Sequence, residues 1–147
     1  MRFSQLAPGT VLRAGPRSVT EQEIMEFARR YDPQPFHVDR DAAAASRWGG
    51  LIASGWMTCS IAMELAVGQI LNGSESIGSP GVDELRWDAP VRPGDELTLT
   101  ITVLDARRSA SGRTGIVRWR WELHNQGGAR VLGVVATNLF DIGMARS

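Results

Sequence analysis

One stretch of this chain concentrates groups able to move protons: Tyr31-Asp32-Pro33-Gln34-Pro35-Phe36-His37-Val38-Asp39. Pro33 and Pro35 each hold φ near about −65°, so the backbone between Asp32 and His37 is stiff. A carboxylate and an imidazole five residues apart on such a backbone can share one water, the minimum equipment for general acid–base catalysis. The same residues have a purely structural alternative, in which Asp32 caps a turn before Pro33 and His37 packs at a helix start. A second stretch, Gly49-Gly50-Leu51-Ile52-Ala53-Ser54-Gly55-Trp56-Met57, leads into an apolar helical segment. Its glycines let a ligand approach the backbone, and the free N–H groups of a helix's first turn stabilise a developing oxyanion. Here too a structural alternative stands, with Ser54 as an N-cap and the glycines serving tight packing.

Composition narrows what else the chain could do. Its 147 residues fit one domain, taken as residues 1–147, and with 43% hydrophobic and 22% charged residues it can bury a core. The 16 basic residues balance 16 acidic ones, whereas a protein that neutralises nucleic-acid phosphates carries a basic excess. All the basic residues are arginine, which removes a P-loop lysine, a Schiff-base lysine and a lysine general base. One cysteine, Cys59, excludes an intrachain disulfide, and two histidines, His37 and His124, make a Cys/His zinc site untenable. No metal is expected. The first residues lack a signal-peptide run and no stretch is apolar enough to span a bilayer, so a cytoplasmic protein without membrane contact is expected.

The elements that must position these groups fall into two unlike halves, divided by a Gly/Ser/Pro-rich loop at 73–81. An extended lead-in lies near Thr10 to Ala14. Capping-box spacings at Ser18/Glu21 and Thr20/Glu23 open a helix over 18–31 with Ile24, Phe27, Ala28 and Tyr31 on one face, stopped by Asp32-Pro33. A short helix is expected from Asp41 to Arg47, and a longer one from Ser54 to Leu71 that is apolar nearly all round and therefore buried. The second half alternates with period two: Leu97, Leu99, Ile101 and Val103 with threonines between, then Val117, Trp119, Trp121 and Leu123 with polar residues between. Strands over 81–91 and 130–141 complete an antiparallel sheet, with turns at Pro93-Gly94 and Gln126-Gly127-Gly128. A buried helix wrapped by a curved antiparallel sheet, α+β in class, is the simplest packing, and its open edges favour dimerisation.

Taken together, Asp32-x-Gln34-Pro35-x-His37-x-Asp39 and Trp48-Gly49-Gly50-Leu51-Ile52-Ala53-Ser54-Gly55 resemble the hydratase signature of the MaoC-like dehydratases and (R)-specific enoyl-CoA hydratases, whose fold is the hotdog. Gly81-Val82-Asp83-Glu84-Leu85-Arg86-Trp87 and Pro90-Val91-Arg92-Pro93-Gly94-Asp95 are similar to that family's strand–turn–strand after the helix. The resemblance covers roughly residues 10–140. It implies that Asp32 and His37 are the catalytic pair, that the Gly55 N–H binds the thioester oxygen, and that Ser60, Gln34 and Ser54 support the site. The chain departs from the family's commonest form at Gln34, usually asparagine, and at Ser54, often histidine. The implied reaction is reversible syn hydration of a trans-2-enoyl thioester on coenzyme A or an acyl carrier. No cofactor is implied, and the assembly implied is a homodimer or dimer of dimers. A hotdog thioesterase is the competing reading, for which Glu64 is the available acid on the long helix. A non-catalytic acyl-binding subunit of a hetero-oligomer is the third. Trp48, Trp56, Met57 and Trp87 near the site suggest a short or restricted acyl pocket. Cys59, the Trp119/Trp121 pair and His124 read as a core thiol, core or dimer-interface aromatics and a surface residue.

Overall fold

The computed structural model describes residues 1–143; the last four residues of the expected domain lie outside them. Five strands form one antiparallel sheet in the order β1-β3-β4-β5-β2. They are β1 Val11–Ser18, β2 Ser76–Arg86, β3 Glu96–Arg108, β4 Thr114–His124 and β5 Arg130–Asp141. The helices are α1 Glu21–Tyr31, α2 Pro35–Val38, α3 Arg40–Ala45 and α4 Gly55–Ala66, the last prolonged by a π-helical turn, Val67–Leu71. This is the expected hotdog arrangement of one central helix on a curved antiparallel sheet.

The alternation read in β3 and β4 decides which face is inside. Leu97, Leu99, Ile101 and Val103, with Val117, Trp119, Trp121 and Leu123, are all buried, and with Phe140 of β5 they meet Met57, Ile61, Ala62, Leu65 and Ala66 of α4. A side-chain period of two puts every second residue of a strand on the helix, and burial of that apolar face is the main source of stability. Trp119 and Trp121 therefore belong to the core. The Trp119 indole N–H donates to Asn138 Oδ1 at 2.8 Å, which satisfies both buried groups.

Several boundaries differ from the sequence expectation. Ser18 ends β1 and pairs with Glu96, so α1 begins later, with Thr20 as its cap: Thr20 Oγ1 accepts from the Glu23 N–H while Glu23 reaches back to the Thr20 N–H. Of the residues expected as a loop at 73–81, 76–81 instead form the first half of β2, which follows β5 through three register shifts, two of them at Gly78 with φ +137°. The same strand stops at Arg86, and residues 87–91 leave the sheet toward the N-terminus of α4.

The long helix is also not buried all round. Trp56, Ser60, Met63, Glu64 and Val67 form an outward stripe, with Trp56, Met63 and Val67 exposed by 59%, 49% and 44%. Residues three and four apart share a helix face, so one strip of α4 is left uncovered by the chain's own sheet. No helix among the described residues is long and apolar enough to cross a membrane.

Candidate active site

Asp32 and His37 are brought together by the chain path that Pro33 and Pro35 impose. Asp32 is the C-cap of α1, its N–H bonded to the Ala28 carbonyl at 2.8 Å, and Pro33 prevents the helix from continuing. Pro35 then starts α2, where a proline's missing N–H costs nothing and its fixed φ suits the first turn. The expected loop thus contains one helical turn, and that turn swings His37 back over Asp32. Asp39 ends α2 and caps α3, accepting from the Asp41 and Ala42 N–H groups, which spends it on structure.

The His37 ring is 4% exposed and held at both nitrogens. Nδ1 lies 2.6 Å from the Ile52 carbonyl oxygen, and Nε2 lies 3.2 Å from Asp32 Oδ2. A carbonyl can only accept, so Nδ1 carries a proton and Nε2 is the atom that faces Asp32. The Phe36 ring packs edge-on against the imidazole at 4.4 Å between centroids. Ile52 is the residue that sequence reasoning misses here, because its contribution is a main-chain oxygen fifteen positions away with no side-chain signature.

Gln34 donates from Nε2 to Asp32 Oδ1 at 2.7 Å. Partial burial pushes the Asp32 carboxyl upward, but Gln34, Ser54 and the imidazole together outweigh it and leave the group below the ordinary carboxylate value. Asp32 is therefore an ionised acceptor at neutral pH. Ser54 is completely buried and its hydroxyl makes no formed hydrogen bond, although it is near enough to favour the carboxylate. It is not the side-chain cap expected for α4, whose first turn has none. A buried hydroxyl without a partner is rare, and beside a carboxylate it is available to a water or a substrate oxygen.

Both groups open on a cavity of about 340 Å³ that is also lined by Gly55, Thr58 and the tryptophans 48, 56 and 87. Gly55 is the first residue of α4, so its N–H is among those with no acceptor inside the helix. Trp87 lies on it: the indole N–H donates to the Gly55 carbonyl at 2.8 Å, and a Cβ at position 55 would lie 2.6 Å from the ring. Only glycine fits beneath that indole.

Ser60 is not brought to this cavity. Its hydroxyl bonds the Trp56 carbonyl one turn back at 2.9 Å and faces a separate groove with Arg17, Glu23 and Glu64, because five residues along a helix rotate a side chain well past the face of Gly55. Met57 lines that groove too and is buried in the core, not at the site. Glu64 is paired with Arg17 at 2.8 Å on the same side. His124 ends β4 opposite Thr98 and lines neither cavity. Cys59 is half-buried, and burial pushes its thiol upward, away from thiolate chemistry. Residues 88–91, expected as the end of a strand, instead supply a cavity wall.

The arrangement pairs an ionised carboxylate with an imidazole over an apolar cavity that ends at a helix N-terminus. Known proteins are similar to this chain in sequence and fold. The MaoC like domain family matches residues 3–121. An uncharacterised protein of Bacillus subtilis (strain 168), YdeM, is 31% identical over 126 residues, covering 86% of this chain and 89% of its own length. The crystal structure of a MaoC-like dehydratase from Rhodospirillum rubrum superposes with a TM-score of 0.86 at 39% identity, covering 94% of each chain. The (R)-hydratase from A. caviae involved in PHA biosynthesis superposes at 0.75 with 27% identity, over 90% of this chain and 96% of that one. By fold, by the extent of the match and by relatives at this identity, the chain belongs to the MaoC-like domain family.

Proposed function

We propose that the protein is an (R)-specific enoyl-thioester hydratase, adding water reversibly to a trans-2-enoyl thioester to give the 3-hydroxyacyl thioester. The observation that carries this reading is the approach of His37 Nε2 to Asp32 Oδ2 at 3.2 Å, with Nδ1 committed to Ile52, over a cavity that reaches Gly55. Hydration needs an oxygen at C3, a proton at C2 and a donor for the thioester oxygen. Asp32, ionised, takes one proton from a water as the water oxygen bonds to C3. His37, with Nδ1 held by Ile52, gives a proton from Nε2 to C2. The proton on Asp32 then returns to Nε2, leaving one water added and both groups reset. Because the two groups are adjacent, oxygen and hydrogen arrive on one face of the double bond, a syn addition. Charge that builds on the thioester oxygen meets the Gly55 N–H and the positive end of α4. Each of these two devices is typically worth about 10² or more in rate.

The thioesterase reading loses its acid, since Glu64 points into the other groove and is neutralised by Arg17. With arginine the only strong cation, the phosphates of coenzyme A or an acyl carrier meet guanidinium groups. A homodimer fits the uncovered stripe of α4 and the exposed Ile77 and Val82 of edge strand β2. The test is loss of conjugated enoyl-thioester absorbance with the pure protein, abolished by Asp32→Asn or His37→Gln. Release of free thiol from saturated acyl-CoA with no hydration would replace this reading by a thioesterase. Activity that appears only on adding a second hotdog chain would replace it by a subunit role.

A further inference from the structure

Resting on the reading of this cavity as an enoyl-thioester site, we infer that the Trp87 indole is the wall that restricts the enzyme to short acyl chains. Three independent anchors hold the ring. Its N–H is spent on the Gly55 carbonyl at 2.8 Å, it packs at near right angles to Trp56 at 5.2 Å between centroids, and the residue after it, Asp88, is clamped to Arg130 at 2.8 and 3.2 Å. The ring also sits so close to Gly55 that a single added methyl there would overlap it. A thioester whose oxygen bonds the Gly55 N–H must therefore pass within contact distance of this indole.

The cavity residues that neighbour Trp87 suit hydrocarbon. Trp56, Ala89, Pro90 and Val91 line the cavity with it, and Asp88 of the same segment is turned to Arg130. The acyl chain accordingly runs along these apolar residues. At about 340 Å³ the space lies at the small end of the roughly 300–1,000 Å³ typical of ligand pockets. A wall held at three points cannot yield easily to added methylenes, and each misfitting methylene in such a pocket costs roughly 10–200-fold.

The experiment compares the wild-type protein with Trp87→Ala and Trp87→Phe across trans-2-enoyl-CoA substrates from butenoyl to dodecenoyl. In parallel, calorimetry follows butanoyl-CoA and decanoyl-CoA binding to Asp32→Asn proteins with and without the Trp87 changes. The wild type is expected to favour butenoyl and hexenoyl substrates. Trp87→Ala should raise the dodecenoyl-to-butenoyl ratio of kcat/KM by about tenfold or more, and decanoyl-CoA affinity relative to butanoyl-CoA by a similar factor. Trp87→Phe, which keeps a ring but loses the bond to Gly55, should shift the ratio part of the way and also reads the effect should the alanine variant fail to fold. A uniform fall at all chain lengths, or an unchanged profile, overturns the inference. If the wild type hydrates no enoyl-CoA, the hydratase reading fails by itself, and the binding ratio still decides the role of Trp87.

Discussion

Replacing Gly55 by alanine tests the geometry at the head of α4 most directly. The new Cβ would lie 2.6 Å from Trp87 Cε2, 2.7 Å from Nε1 and 3.0 Å from Cδ2, whereas ordinary contact begins near 3.4 Å. The ring must retreat by about 0.8 Å, and in doing so it strains or breaks its 2.8 Å bond to the Gly55 carbonyl. Overpacking of this kind costs about 1–3 kcal/mol. The lost bond adds about 0.5–1.5 kcal/mol, and the better helix propensity of alanine returns up to about 1 kcal/mol. The net expectation is a loss of about 1–3 kcal/mol, or about 2–10 °C in Tm for a domain of this size. Hydration kcat/KM should fall by about tenfold or more, since one extra methyl now occupies a fitted cavity. Thermal melts and the enoyl-thioester assay read the two effects. The double variant Gly55→Ala with Trp87→Ala removes the clash, so its stability should exceed the sum of the single changes by about 1 kcal/mol. An alanine variant that melts at or above the wild type, or a cycle with no coupling, would refute the placement of Trp87 on Gly55.

Other expectations follow from single contacts. Gln34→Ala removes the N–H at 2.7 Å from Asp32 Oδ1, so the Asp32 carboxyl should rise toward its ordinary value and the acid limb of the kcat/KM–pH profile should move to higher pH; an unmoved limb would disconnect Asp32 from that limb. The folded state holds the Asp32 and Glu23 carboxyls below their unfolded values, against the opposing effect of burial. Their stabilisation is complete above the ordinary carboxylate range and is lost as pH falls through the folded values, so Asp32→Asn should flatten the decline of stability in acid, measured by denaturant titration at a series of pH values. Thr20→Ala removes the α1 cap and should cost about 1 kcal/mol in the same titration at neutral pH, with m unchanged.

Much of the site is legible in the sequence because its parts lie close together along the chain. Asp32, Gln34 and His37 share one proline-stiffened segment, and the glycine at the head of α4 stands out beside an apolar helix. Ser60 is misplaced by its motif because a motif fixes order along the chain but not rotation about a helix: its hydroxyl turns to the Trp56 carbonyl and to the groove of Arg17. The outward stripe of α4 escapes the sequence for a related reason, since composition alone cannot show which apolar face the sheet leaves uncovered.

Local sequence determined the strands of period two, the Thr20 cap, the stop at Pro33 and the helical turn that Pro35 permits, all of which depend on residues within one or two turns of each other. The absence of lysine likewise removes a lysine base and leaves carboxylates and histidine as the proton-moving candidates. Tertiary structure decided the rest: the Ile52 carbonyl that sets the His37 proton, the Trp87 indole that covers Gly55, and the Arg130 clamp on Asp88, 42 positions away. These contacts join main-chain atoms or distant segments whose pairing is created only when the sheet closes on α4, and no local pattern encodes a distance across the core.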